Sequence, residues 1–423
     1  MYKKETLPNG LRIVTHDMPD RDSIAIGFWI GAGGRYEEDR VKGVAHFLEH
    51  IVFKGSRKYK CQEIKELIEG VGGAINAFTS EEQTCYYAKI PAKHLEQTFD
   101  ILADIVFAPT IAPRDVVKEQ TVIIEEIKMY HDLSQYYVVE LLDEMIWPNH
   151  PLGKNLPGTP ETISAMKDKD LKVFHKAKYY PGNIVVSACG RINHQKIVKL
   201  VEKRLGAIRQ SGHSNFLNVA EDVSGSRIKH HARDIEQLHV AFGVRGLDEN
   251  HKDRYALSIL SVILGGNMSS RLFTEIREKR GLAYSIYCSS KTMHDTGLFT
   301  VRAGIDQKKI VDAVGLILKE LDKVKHKEVT KGEFTRAKDY VLGQLLLGLE
   351  DTMEHMLWLG ESVISKNKIE SLKDIISQFE RIRESDVKRI ACDVLRENSY
   401  KLALVGSLSD EQYRQLHDLL KMK

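Results

Sequence analysis

Residues 183–190, NIVVSACG, read as a buried strand closed by a glycine, and RINHQKIVKLVEKRL (191–205) continues as a helix. The same order returns near the end of the chain, where YKLALVG (400–406) precedes SLSDEQYRQLHDLL (407–420). Gly406 minus Gly190 is an offset of 216. Upstream, SIAIGFWIG (23–31) has a counterpart in HVAFGVRG (239–246), and Gly243 minus Gly27 is again 216. Equal offsets at both ends of a unit argue for a duplicated domain. The expected fold is therefore α+β, with two homologous domains, each a mostly antiparallel sheet with helices packed on it. The predicted boundaries are an N-terminal domain over 1–209, a polar linker over 210–228 that begins QSGHSNFLNVAEDVSGSR, and a C-terminal domain over 229–423.

The chain has 423 residues, too many for one ordinary core. Its 62 basic and 59 acidic residues nearly cancel, which gives no electrostatic case for a nucleic-acid or membrane-surface partner. Five scattered cysteines without C-x-x-C spacing suit reduced thiols in a cytosolic compartment. No apolar run approaches the roughly 20 residues of a membrane span. The opening MYKKETLPNGLRIV enters a hairpin-like pattern at once, so neither a secretory signal nor a transit peptide is expected, and the predicted location is cytoplasmic.

Chemistry concentrates in VAHFLEH (44–50), where His46, Glu49 and His50 interrupt an apolar helical pattern. Burying three polar groups without partners would cost several kcal/mol. Histidines four apart project from one helix face, about 6 Å apart at Cβ, and can chelate a borderline-soft ion such as Zn²⁺. Glu49 lies on the same side and is the expected general base for a water held there. H-x-x-E-H is the inverted form of the H-E-x-x-H metallopeptidase motif. Five residues alone also fit histidines hydrogen-bonded within a core, so a third ligand has to decide. The triplet maps by the offset to Val262, Gly265 and Gly266 in the second half, where the fold recurs without it.

A long helical pattern from Asp115 to Trp147 supplies the candidate. With Glu119 set at zero and about 100° per residue, Val122, Ile123, Ile127, Met129 and Tyr130 fall within about 80° of that direction. Glu126 lies about 20° from the centre of this stripe, whereas Glu125 points about 120° away. Two carboxylates on an apolar face call for a cationic partner. Glu126 is thus read as the third ligand and Glu119 as a supporting catalytic residue that orients a ligand histidine or the water.

On these residues the chain resembles the pitrilysin/insulinase group of inverted-motif zinc peptidases, which includes the mitochondrial processing peptidases and their bacterial relatives. The likeness runs through GVAHFLEHIVFKGS, GGAINAFTSEEQTCYYAKI, KEQTVIIEEIKMYHD, YYPGNIVVSACG and SSRLFTEIREKRGLAYSIY. It implies a zinc metalloendopeptidase with Glu119 and Glu126 as the family's E-x6-E pair. It also implies a chain forming half of a clamshell, completed as a homodimer around a chamber for short or unfolded peptides. Asn76, Ala77 and Phe78 match the edge strand that receives substrate, a mode that reads peptide backbone with little demand on sequence. Arg277 and Tyr284 match the pair that completes the active site from a C-terminal domain, here of the partner. The competing expectation is a zinc-binding, non-hydrolytic subunit that captures peptides. GAGGRYEE (31–38) lacks the last glycine of a dinucleotide loop, and Ser269-Ser270 suit a helix start rather than a nucleophile.

Overall fold

The computed structural model describes residues 2–421 apart from 210, 211, 213, 214, 221–224 and 328. Two sheets organise it. The first holds β1 (Tyr2–Thr6), β2 (Arg12–Asp17), β3 (Ser23–Ile30), β4 (Ala74–Thr79), β5 (Thr84–Pro91) and β6 (Ile184–Gly190), in the order β1-β2-β6-β3-β5-β4. The second holds β7 (Ile228–His231), β8 (Gln237–Arg245), β9 (Ala283–Thr292), β10 (Gly297–Asp306) and β11 (Lys401–Val405), in the order β7-β11-β8-β10-β9. Among the described residues only β2/β6 and β7/β11 run parallel, and these pairs hold equivalent places. The duplication is therefore visible as topology.

The register shows that the two offsets of 216 do not hold together. Cys189 pairs with Ala25 and Val405 with His239, so if Gly190 answers to Gly406, β3 and β8 differ by 214. If instead Gly27 answers to Gly243, Ser187 falls on Lys401 and β6 and β11 differ by 214. A slip of two residues leaves every side chain on its own face of the sheet, so the pattern survives it.

The compact units also differ from the contiguous division at 209 and 229. One comprises 1–127, 155–217 and 346–371; the other 128–154, 218–345 and 372–423. Each half of the sequence thus gives a helix to the other half's sheet. Helix Thr352–Lys366 lays Met356, Leu359 and Val363 against Ala25, Trp29, Val185 and Cys189 of the first sheet. Helix Ser134–Ile146 lays Val138, Leu141, Leu142 and Met145 against Ala241, Ala403 and Val405 of the second. Close approach depends on glycine: a Cβ on Gly27 would stand 2.7 Å from Met356 Sδ, and one on Gly243 would stand 2.8 Å from Leu142. The predicted single helix from Asp115 to Trp147 is two, Pro113–Asp132 and Ser134–Ile146, parted at Leu133 with ψ 90°.

All five cysteines are free thiols, three of them buried. Segment Val262–Gly266, the counterpart expected for the polar triplet, is a π-helical turn in which Gly265 lies against Cys288 of β9.

Candidate metal centre

The centre starts with how helix Val44–Val52 is begun. Gly43 has φ +95°, and a Cβ there would stand 2.4 Å from Pro157 O, so the position requires glycine. The first N–H groups of a helix lack intrahelical acceptors. Buried Glu37 accepts from Gly43 N–H at 2.9 Å and Ala45 N–H at 2.7 Å, and pairs with Lys42 Nζ at 3.0 Å. The GAGGRYEE loop therefore caps this helix. Val44, Ala45, Phe47, Leu48, Ile51 and Val52 are buried, which turns His46, Glu49 and His50 toward the half-buried side.

Helix Pro113–Asp132 supplies the other wall. It buries Val116, Glu119, Ile123 and Ile127, while Val122, Met129 and Tyr130 are exposed. This corrects the predicted stripe: the buried face is rotated toward the Ile123–Ile127 side, which leaves Val122 and Met129 outside it. Tyr130 escapes burial near the helix end. The rotation places Glu119 inside the core and Glu126 at its margin, 27% exposed.

There Glu126 bridges the two imidazoles. Its Oε1 is 3.7 Å from His46 Nε2 and its Oε2 is 3.3 Å from His50 Nε2, and one ligand atom from each residue lies within 4.8 Å of the other two. Ligands about 2.0–2.1 Å from a tetrahedral zinc are about 3.4 Å from one another. The spacing and the N,N,O donor set fit that ion. His50 Nδ1 is engaged by Glu119 Oε1 at 3.0 Å, so Nε2 is the nitrogen left to bind. The other oxygen of Glu119 is in close ion contact with Lys54 Nζ. Glu49 Oε2 accepts from Thr79 Oγ1, at the end of β4, at 2.6 Å.

Without an ion the two histidines divide. Burial and the neighbouring His50 lower His46 to about 4. For His50, burial is outweighed by hydrogen bonds to the Glu119 and Glu126 carboxylates, which raise it to about 9. Burial pushes Glu49 up, against the Thr79 hydroxyl. Glu119 is held below its ordinary value because His50 and Lys54 outweigh burial, and Glu126 is lowered chiefly by its bond to His50.

The remaining predicted residues fall in two places. Asn76, Ala77 and Phe78 lie on β4, the last strand of its sheet, which pairs with β5 on one side only among the described residues. Asn76 Oδ1 accepts from Ala77 N–H at 2.8 Å. The Phe78 ring packs edge-on against Trp29 at 5.6 Å, so its backbone rather than its ring is what the edge offers. Arg277 and Tyr284 belong to the second unit, where the guanidinium stands 5.7 Å from the Tyr284 ring and 4.7 Å from that of Phe273. Tyr284 is 74% exposed. Arg280, the near neighbour, is tied instead to Glu275 at 2.6 Å. Sequence reading missed Thr79, Lys54 and Glu37. Thr79 follows Phe78 in GGAINAFTSEEQTCYYAKI and Lys54 stands four residues after His50, but neither spacing announces a partner.

Two homologous α+β units, one of which carries a His-His-Glu cluster beside two further carboxylates, Glu49 and Glu119, have the layout of an inverted-motif metallopeptidase. Residues 12–160 match the family described as Insulinase (Peptidase family M16), and residues 166–341 match Peptidase M16 inactive domain. The chain is 36% identical over 406 residues to the uncharacterized zinc protease YmxG of Bacillus subtilis, covering 96% of this chain and 98% of the relative. It is likewise 36% identical over 422 residues to an uncharacterized zinc protease of Streptomyces coelicolor, covering 98% and 92%. The chain belongs to peptidase family M16. The crystal structure of a protease from Helicobacter pylori superposes with a TM-score of 0.91 at 24% identity, covering 96% of this chain and 99% of that one, a likeness of fold.

Proposed function

We propose that this chain is a zinc metalloendopeptidase acting on short or unfolded peptides. The observation that carries the reading is Glu126 set between His46 Nε2 and His50 Nε2, with Glu49 on the same helix as the histidines. His46, His50 and Glu126 would hold the ion. Zinc, when bound, supplies a Lewis acid that polarises the scissile carbonyl and acidifies water. Glu49 takes the proton of the attacking water and delivers it to the leaving amine, a role suited to a carboxylate whose basicity burial has raised. Thr79 holds that carboxylate, and Glu119 holds the ring of His50.

The peptide lies extended along β4 and bonds to the backbone of Asn76, Ala77 and Phe78, displacing the Asn76 side chain from Ala77 N–H. Arg277 and Tyr284 come from the second unit of another copy of the chain and steady the oxyanion, so the working form is a cytoplasmic homodimer around a closed chamber. The test is cleavage of a quenched peptide by the purified chain, abolished by a chelator and restored by zinc. Glu49→Gln should keep its zinc and lose on the order of 10²–10⁴ in turnover. Full activity in that variant refutes the base assignment. A zinc-loaded chain that binds peptides without cleaving them favours the capture subunit.

A further inference from the structure

Lys54 stands just beyond helix Val44–Val52, where its N–H bonds to Ile51 O at 3.0 Å and extends the helical turn. That carries it four residues past His50, on the same side. Its ammonium is in close ion contact with Glu119 Oε2, while Glu119 Oε1 faces His50 Nδ1 at 3.0 Å. One buried carboxylate is thus held at both oxygens, by a histidine and a lysine from a single segment. The Glu119 side chain is 5% exposed and that of Lys54 37%, so the lysine closes over the carboxylate with its head within reach of water. The last torsion of a glutamate is broad and roughly two-fold. A carboxylate engaged at one oxygen can turn about it; the Lys54 ammonium, an ion contact at Oε2 without an aligned hydrogen bond, restrains that turn. His50 Nδ1–H then has a fixed acceptor, and the Nε2 lone pair is aimed at the Glu126 side.

We propose that Lys54 is a positioning residue of the metal centre, acting through Glu119 to set the ring of His50 for cation binding. The proposal rests on the zinc reading and goes beyond it, since Lys54 belongs neither to H-x-x-E-H nor to E-x6-E. Electrostatics alone predicts the opposite outcome. A nearby ammonium repels a cation, so a lysine acting only through its field would weaken zinc binding, and its removal would tighten it. The sign of the change therefore separates the two roles.

The experiment is zinc affinity of the full chain by competition with a chromophoric chelator, with no substrate present. Lys54→Met and Lys54→Gln should bind zinc about tenfold more weakly, at the low end of losses seen when ligand-supporting groups are removed. Lys54→Arg, which keeps a cation on Oε2, should stay close to wild type. In a Glu119→Gln background Lys54→Met should change nothing further, because the two residues act in series. Circular dichroism and thermal unfolding of each variant confirm that the fold is intact. Unchanged or tighter binding in both Lys54→Met and Lys54→Gln, or an undiminished loss in the Glu119→Gln background, overturns the proposal. A wild-type chain that takes up no zinc overturns the metal reading itself and this proposal with it.

Discussion

Glu49 and Glu119 are both carboxylates beside the same pair of imidazoles, and their surroundings separate them chemically. Glu49 is raised by burial, which outweighs the Thr79 hydroxyl and backbone N–H and the charge of His50; Glu119 is lowered because an ammonium and a directly bonded imidazole outweigh its burial. The first is thereby the better proton acceptor and the second the better fixed anion. The hydroxyl has its own consequence. Thr79 donates its hydroxyl hydrogen to Glu49 and sits on the proposed peptide-binding strand, so it ties the base to the place where substrate arrives. A hydrogen bond to a charged group contributes about 1.5–3 kcal/mol. Thr79→Val should lower kcat about tenfold with KM and zinc content near wild type, and Thr79→Ser should restore most of it. An equal fall in the Ser and Val variants, or a change confined to KM, would show that Thr79 does not hold the base.

Much of the site could be read because it is built from helix faces. His46 and His50 are four apart and Glu119 and Glu126 seven apart, so a 3.6-residue period assembles each pair without tertiary knowledge. Thr79 and Lys54 escape such reading because each meets its partner through tertiary approach, across 30 residues from Thr79 to Glu49 and across 65 from Lys54 to Glu119. The exchanged helices show the same limit among larger elements. SIAIGFWI and IVVSACG are almost uninterrupted apolar runs, buried along nearly their whole length, which means that both faces of the sheet are covered. The need for a second helical layer was legible; which helix supplies it was not, because Met356 and Leu142 would serve either sheet as apolar residues. One exchanged helix carries a measurable cost. On Ser134–Ile146, Glu140 is raised to about 7 by burial alone. Between the ordinary glutamate value near 4.3 and that value the folded chain holds a proton that the unfolded chain has released, so stability falls as pH rises through this window. Glu140→Gln should match wild type in unfolding free energy at pH 4.5 and exceed it at pH 8 by about 1–2 kcal/mol after allowance for partial exposure, read as a raised thermal midpoint at pH 8 only. A difference that is the same at both pH values would remove burial of this carboxylate as the cause.

The two sheets repeat one topology, yet among the described residues only one unit carries a cluster of side chains that could hold a metal ion. Where the first unit has His46, Glu49 and His50 on a helix facing β4, the second has a glycine turn at Gly265 pressed onto β9. That turn leaves no side chain to bind an ion, so duplication here gave two similar frames free to take different tasks. The second frame bears Arg277 without an ion pair among the described residues, against the exposed ring of Tyr284, a cation and a hydroxyl presented together. No described helix is long and apolar enough to cross a membrane, and with 62 basic against 59 acidic residues the whole chain offers no strong field to gather a charged partner. Under the homodimer proposed above, a second copy of the chain brings this pair to the metal centre. The division of tasks makes two properties separable. Arg277→Ala and Tyr284→Phe should bind zinc as wild type does and lose about 10²–10³ in kcat/KM, the scale of an oxyanion donor. Wild type diluted until light scattering reports a monomer should show the same signature, with metal retained and cleavage lost. Equal specific activity in monomer and dimer would mean that one chain completes its own centre, and zinc loss in the Arg277 or Tyr284 variants would mean that the two units do not hold separate roles.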